Sequence, residues 1–277
     1  MKGKMSQSVP KRKVGFAHAR SWLLVSAHKP ELFEPSAACP ADAIILDLED
    51  AVAAEAKSRA RSGVAQWLRT GSLHAWVRVN DATTKFWADD LAALRGLPGV
   101  DGIVLAKVEG PEQIDETARR LRPGLPIVAL IESAVGIEAA SEIAQRPGTA
   151  RLAFGSGDFR RDTGMADDAT AMAYPRSRLT IASRAARIPA PIDGPTRVPD
   201  EETLVRQTED AAAVGMTGRL CLRIEQTPVV NRRMAPTPEE IADAEQTIVR
   251  CETIRDPSDV PRLAQARKIV ELGRIFG

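Results

Sequence analysis

Carboxylates and arginines, rather than histidines or cysteines, hold the positions of this 277-residue chain where chemistry is expected. They stand at or just beyond the ends of short apolar runs: Glu49 and Asp50, Arg78 and Asn80, Lys107 and Glu109, Glu132, Asp158, Asp193 and Arg223. His18, His28 and His74 all fall in the first third and are not clustered: His18 and His74 precede such runs, and His28 follows the first. Without clustered imidazoles or thiolates, a zinc or iron site is a poor fit. Oxygen ligands from Glu132 and Asp158, on successive runs, suit Mg²⁺ or Mn²⁺, with waters or substrate completing the octahedron. A lone carboxylate of this kind more simply caps a helix or pairs with an arginine. Two that feed one pocket form the pattern of a site. Lys107 has the place of a Schiff-base lysine, but a salt bridge to Glu109 or Glu132 is the simpler expectation. No G-x-S-x-G elbow is present. Gly155-Ser156-Gly157-Asp158 reads as glycines that let the backbone approach metal and substrate closely.

For these groups to meet, the runs that carry them must be neighbouring strands. The runs are Trp22–Ala27, Ala43–Asp50, Ala75–Asn80, Gly102–Val108, Ile127–Ser133, Arg151–Asp158, Ile188–Gly194 and Gly218–Ile224. Most are continuously apolar, as parallel strands buried on both faces require. The seventh carries Pro189 and Pro191, which remove ladder donors. Helical stretches are predicted between them at Val52–Thr70, Phe86–Leu94, Pro111–Leu121, Gly136–Gln145, Tyr174–Arg187 and Glu201–Val214. Eightfold strand–helix alternation predicts an α/β fold, a (β/α)8 TIM barrel, over residues 20–235. An open doubly wound sheet would carry a glycine-rich turn after its first strand, and Ala27-His28-Lys29-Pro30 is not one. Residues 1–19 are expected to form a flexible tail. Residues 236–277 are expected to add a C-terminal helical extension, from helices over Pro236–Cys251 and Arg262–Phe276 with a break at Arg255–Pro261. That extension packs on its own barrel or contacts a neighbouring subunit.

Composition narrows the function classes. Hydrophobic residues make up 44% and charged residues 27%, an ordinary globular balance. The net charge of +1 supplies no basic field for nucleic acid. No apolar run is long enough to span a bilayer, and nothing behind the basic Met1–Lys13 reads as a signal segment. Cys39, Cys221 and Cys251, odd in number and without metal spacing, point to reduced thiols and a cytoplasmic location.

The runs also carry motifs. Leu46-Asp47-Leu48-Glu49-Asp50-Ala51-Val52, Val77–Asn80, Leu130-Ile131-Glu132-Ser133-Ala134-Val135-Gly136, Arg151–Asp158 and Pro228-Val229-Val230-Asn231 through Ala244 occur in order from Arg20 onward. In this the chain resembles the family of the citrate lyase β subunit and its relatives, the citramalyl-CoA, malyl-CoA and β-methylmalyl-CoA lyases. The resemblance implies a TIM barrel, with Glu132 and Asp158 binding Mg²⁺ and Arg78 facing the reacting carbonyl. It implies that Glu49 and Asp50 order the metal's waters and position Arg78. Lys57 and Arg61 match basic residues near the phosphates of coenzyme A, with a solvated helix face as the alternative. Asp259-Val260-Pro261-Arg262-Leu263 is similar to a family segment whose aspartate reaches a neighbouring subunit's site and handles the proton on the acetyl carbon, with Asp256-Pro257 as a competing register. A homo-oligomer, a trimer or hexamer, is therefore implied.

By the same resemblance the expected reaction is metal-dependent cleavage of a 3-hydroxy-carboxyacyl-CoA, of the citramalyl-CoA kind, into a 2-oxo acid and acetyl-CoA. Alternatives remain open: a CoA-independent 2-oxo-acid aldolase, a subunit acting on an acyl-carrier-protein thioester, or a non-catalytic binding barrel. Three departures border the pocket. The family's His-Pro at the eighth strand is Arg223-Ile224 here. The segment after the first strand reads Val25-Ser26-Ala27-His28, and that after the seventh reads Asp193-Gly194-Pro195-Thr196. They bear on the substrate more than on the reaction class.

Overall fold

The computed structural model describes residues 14–251, 254 and 256–277. Eight parallel strands close into a barrel in sequence order, β1 pairing with both β2 and β8. They are β1 (Ser21–Ser26), β2 (Ala43–Asp47), β3 (Ala75–Val79), β4 (Val100–Leu105), β5 (Ile127–Ile131), β6 (Thr149–Phe154), β7 (Ile192–Asp193) and β8 (Gly218–Cys221). The helices between them are α1 (Phe33–Ala37), α2 (Lys57–Leu68), α3 (Lys85–Leu94), α4 (Pro111–Arg120), α5 (Ala134–Ala144), α6 (Ser156–Thr163), α7 (Ala169–Ala185) and α8 (Glu201–Ala213). After β8 come α9 (Gln226–Arg233), α10 (Pro238–Arg250) and α11 (Asp259–Phe276).

Alternation along each strand divides the core in two. Outward residues such as Ile44, Leu46, Val77, Ile103 and Leu152 pack against the helices. Inward residues, among them Trp22, Ile45, Trp76, Val104, Val128, Leu130, Ile192 and Leu220, fill the barrel itself. Trp22 and Trp76 meet edge to face there with centroids 5.1 Å apart. Continuing the inward parity towards the C-terminal mouth reaches Asp47, Arg78 and Glu132. The barrel is thus a packed plug with a polar layer on top.

Part of the expected tail lies at the opposite mouth. Residues 1–13 are outside the described residues, but Phe16 packs edge to face on Trp76 and Ala19 is buried. The fully buried Arg151 guanidinium donates to the carbonyls of Phe16, Ala19 and Ala190 and to Thr217 Oγ1. Satisfying that buried cation requires the Phe16–Ala19 segment to lie across the barrel bottom.

Several boundaries differ from the sequence expectation. β7 shrinks to two residues, because Pro189 and Pro191 cannot join a ladder. The sixth run ends at Phe154, and Ser156–Thr163 is helix, so Asp158 sits in a first helical turn and not on a strand. α7 starts at Ala169, earlier than Tyr174, because Asp168 accepts from the Ala171 N–H as N-cap. α11 starts at Asp259 and takes in Pro261, whose missing N–H costs nothing in a first turn. α10 and α11 pack on each other through Ala244, Ala266 and Val270.

Candidate active site

Asp47 and Arg78 are register partners on β2 and β3, both facing into the barrel. The Arg78 guanidinium forks onto Asp47 at 2.7 and 2.6 Å, and its Nη1 lies 3.2 Å from Glu49 Oε2. Burial works against the charge, but Asp47 and Glu49 more than offset it and hold Arg78 firmly protonated. Asp47 was absent from the candidate set of residues. Its signal was parity: in Leu46-Asp47-Leu48-Glu49, Asp47 and Glu49 share the inward face, whereas Asp50 does not.

Glu49 is buried, and burial raises its pKa against the pull of Arg78. Its neighbour Asp50 is held low, despite partial burial, by a hydrogen bond with Glu49 and by Lys107 and Arg78. Lys107 therefore pairs with Glu49 (3.3 Å) and Asp50 (3.8 Å), a correction to the expected bridge with Glu109 or Glu132. The reason is backbone geometry. Lys107 adopts φ 51°, a left-handed conformation that turns the chain after β4. Its N–H then donates to Glu132 Oε1 at 2.9 Å while its ammonium points to the β2 end.

Glu132 follows β5 directly and is 6% exposed. Burial first, and then the nearby charges of Glu49 and Asp158, push its pKa up to about 8, although Arg78 opposes this. Asp158 occupies the first turn of α6, where the helix N-terminus favours an anion. Its Oδ2 is buried without a hydrogen-bond partner, while Oδ1 meets Arg161 at 3.3 Å. Gly155 supplies the room, since a Cβ there would run into the Glu132 carboxylate. Among the described residues no three His, Cys, Asp or Glu side chains form a ready-made metal cage. Two acidic side chains, one with an orphaned buried oxygen, still fit a hard divalent cation that keeps several waters. A cation here would also relieve the repulsion that drives Glu132 towards protonation.

Glu132 and Asp158 line a cavity of about 750 Å³ at the C-terminal mouth, together with Asp47, Asp50 and Arg78. They also border a smaller cavity of about 370 Å³ towards Lys107 and Arg161. Lys29, Arg197 and Arg223 are further cations lining the larger one.

Other sequence candidates have different surroundings. Lys57 is buried and donates to the carbonyls of Leu48 and Glu49, both at 2.8 Å. Arg61 donates to Asp90 at 2.8 Å, and Asp90 in turn binds Asn80. This network braces the backbone behind Glu49, and neither Lys57 nor Arg61 lines the cavity. Asp193 is fully buried between Arg176 (2.9 and 3.1 Å) and Arg219. Asp259 opens α11 beside Cys251 and Arg262, accepts from the Asp256 N–H at 3.1 Å, and does not line the cavity of its own chain.

An all-parallel closed barrel with an oxygen-only site at its C-terminal mouth defines a class of metal-assisted barrel enzyme. Residues 20–223 match the family described as HpcH/HpaI aldolase/citrate lyase, and residues 239–277 match the HpcH/HpaI aldolase C-terminal domain. The chain belongs to the HpcH/HpaI aldolase/citrate lyase family and is a metal-dependent lyase. It is 31% identical over 237 residues to the citrate lyase subunit beta-like protein of Deinococcus radiodurans, covering 81% of this chain and 83% of that protein. It is 29% identical over 268 residues to the mitochondrial citramalyl-CoA lyase of Rattus norvegicus, covering 83% and 79%. A crystal structure of protein CitE from Mycobacterium tuberculosis with magnesium, acetoacetate and coenzyme A superposes with a TM-score of 0.79. That match has 30% identity and covers 93% of this chain and 99% of that one. No helix among the described residues is long and apolar enough to cross a membrane.

Proposed function

We propose that the chain cleaves a 3-hydroxy-carboxyacyl-CoA thioester into a 2-oxo acid and acetyl-CoA, with Mg²⁺ held by Glu132 and Asp158. The observation that carries this reading is the convergence of both carboxylates on one cavity with an immobilised arginine. The M. tuberculosis relative crystallised with magnesium and coenzyme A supports the choice of cation and thioester. When bound, the metal supplies a Lewis acid and a template for the substrate's carboxylate and reacting oxygen. Glu132 and Asp158 would hold it, and the Lys107 N–H fixes one Glu132 oxygen. Arg78, oriented by Asp47 and Glu49, sets a fixed positive charge in the cavity. That charge stabilises the negative oxygen which develops as the carbon–carbon bond breaks. The substrate hydroxyl gives its proton to water in the cavity as its oxygen becomes the 2-oxo carbonyl. Bond cleavage leaves the electron pair on the acetyl thioester as an enolate, whose carbon must then be protonated.

Asp259 is the proposed proton donor. Because it does not line its own chain's cavity, the donor has to come from another copy, so the reading includes a homo-oligomer. Lys57 and Arg61 act in it as braces of the Glu49 turn, in place of coenzyme A phosphate ligands. A free 2-oxo-acid aldolase uses the same metal pair and is the second reading.

A coupled assay for 2-oxo acid release tests the proposal. Citramalyl-CoA, malyl-CoA and citryl-CoA are supplied with Mg²⁺, and EDTA serves as control. EDTA-sensitive release from one thioester is the expected result. Silence on all three, with cleavage of a free hydroxy-oxo acid instead, overturns the CoA reading in favour of the aldolase.

A further inference from the structure

Two of this chain's departures from the family pattern, the turn after β7 and the end of β8, are tied together in the fold. Arg223 donates Nη2 to the Val198 carbonyl at 2.8 Å and Nη1 to the Arg197 carbonyl at 3.4 Å. Gln226 Nε2 donates to the Thr196 carbonyl at 2.9 Å, and Arg219 Nη2 to Thr196 Oγ1 at 2.8 Å. Three successive residues of an otherwise irregular loop are thus pinned from the β8 side.

The pinned loop presents Arg197 to the cavity. Its guanidinium lies against the backbone of Gly157, so closely that a Cβ at that position would collide with it. The cation therefore stands on the first turn of α6, beside Asp158 and two residues from Gly155, which abuts Glu132. Arg78, deeper in the same cavity, forks onto Asp47 and lies 3.2 Å from Glu49, and on the lyase reading its remaining charge serves the reacting oxygen. The Arg197 guanidinium makes no hydrogen bond or ion pair with any described residue. An unpaired guanidinium carried on a pinned loop beside the first turn of α6 and lining the cavity suits a planar anion.

On the lyase reading above, one carboxylate of the 2-oxo-acid half goes to the site formed by Glu132 and Asp158. We infer that Arg197, held in place by Arg223, binds a second carboxylate on that half of the substrate. The thioesters this chain cleaves are then those that release a 2-oxo dicarboxylic acid in preference to a 2-oxo monocarboxylic acid. Arg197 is a specificity-determining residue, and Arg223 is the residue that positions it.

Calorimetric titration with Mg²⁺ present tests this, using oxaloacetate, pyruvate and 2-oxobutyrate, which keeps the length of oxaloacetate without its second charge. Wild type is expected to bind oxaloacetate more tightly than either monoacid. Arg197→Ala is expected to cut the oxaloacetate-to-pyruvate affinity ratio by ~10–100-fold, the worth of a charge-assisted pair. Arg197→Lys restores part of that ratio. Arg223→Ala, which frees the loop but keeps the Arg197 charge, lowers the ratio by a smaller factor. Both positions border solvent, and a urea melt checks that each variant is folded. Pyruvate binding with a ratio unmoved by Arg197→Ala overturns this inference and leaves the lyase reading standing. Coenzyme A is titrated in parallel, and a loss of its affinity in Arg197→Ala with the diacid-to-monoacid ratio unchanged overturns the inference too, by making Arg197 a phosphate contact. Binding of neither acid by wild type overturns both.

Discussion

Replacing Glu132 by glutamine should make the metal-free protein more stable at alkaline pH while removing its response to metal. The metal-free fold buries this carboxyl beside Glu49 and Asp158, which lifts its pKa from the usual 4.5 to about 8. Between those values the folded protein keeps a proton that the unfolded chain has released. Stability of the metal-free protein therefore falls as pH rises through that window and levels off above it. At about 1.4 kcal/mol per tenfold change in proton affinity, the ionised side chain costs roughly 3–5 kcal/mol. Glutamine has the same shape, can still accept from the Lys107 N–H, and carries no charge. In EDTA at pH 9, Glu132→Gln should melt on the order of 10 °C above wild type, at about 2–4 °C per kcal/mol for a chain of this size. At pH 5 the two should melt together. Added Mg²⁺ should raise the wild-type Tm at pH 9, because it binds only the folded, deprotonated site. It should leave the variant unmoved. A variant less stable than wild type at pH 9, or one that still responds to Mg²⁺, would refute both the electrostatic account of the site and the ligand assignment.

Other substitutions probe the parts that act around the metal. Asp47→Asn keeps the shape of the Arg78 partner but halves its acceptor capacity, so kcat should fall by ~10²–10³-fold with KM for the thioester little changed. A near-normal kcat would show that Arg78 needs no such clamp. Asp259→Asn should slow turnover by ~10²–10⁴-fold with coenzyme A affinity retained, as loss of a general acid does. Mixed oligomers of Asp259→Asn and Glu132→Ala subunits should regain turnover, since each supplies what the other lacks. Full turnover by Asp259→Asn alone would return that residue to a structural role at the start of α11.

The alternation of apolar runs and helical stretches was enough to predict the barrel, because a parallel strand buried on both faces must be apolar along its length. Chain order also placed Glu132 correctly at a strand end, since the run Ile127–Ile131 ends where the first polar residue appears. Asp158 was found for the right proximity but on the wrong element. Glycines at 155 and 157 signalled a close approach without saying that a helix began between them.

Pairings across the mouth were not legible in order or spacing. Whether Lys107 meets Glu49 or Glu109 depends on one left-handed backbone angle, and the reach of its side chain allows either. Lys57 and Arg61 had the composition of anion-binding residues, yet burial against the carbonyls of Leu48 and Glu49 and against Asp90 turned them into struts. Asp193 carried the same strand-end signature as Glu132, but α7 brings Arg176 and β8 brings Arg219 against it, so its charge is consumed internally. Sequence determined which strands exist and in what order, because both follow from the local apolar runs and the helical stretches between them. Only the closed barrel decided which charges neutralise one another and which, like Glu132 and Arg197, are left facing the cavity without an ion pair. Coulombic partnership depends on distances between strands and loops that lie far apart in the chain.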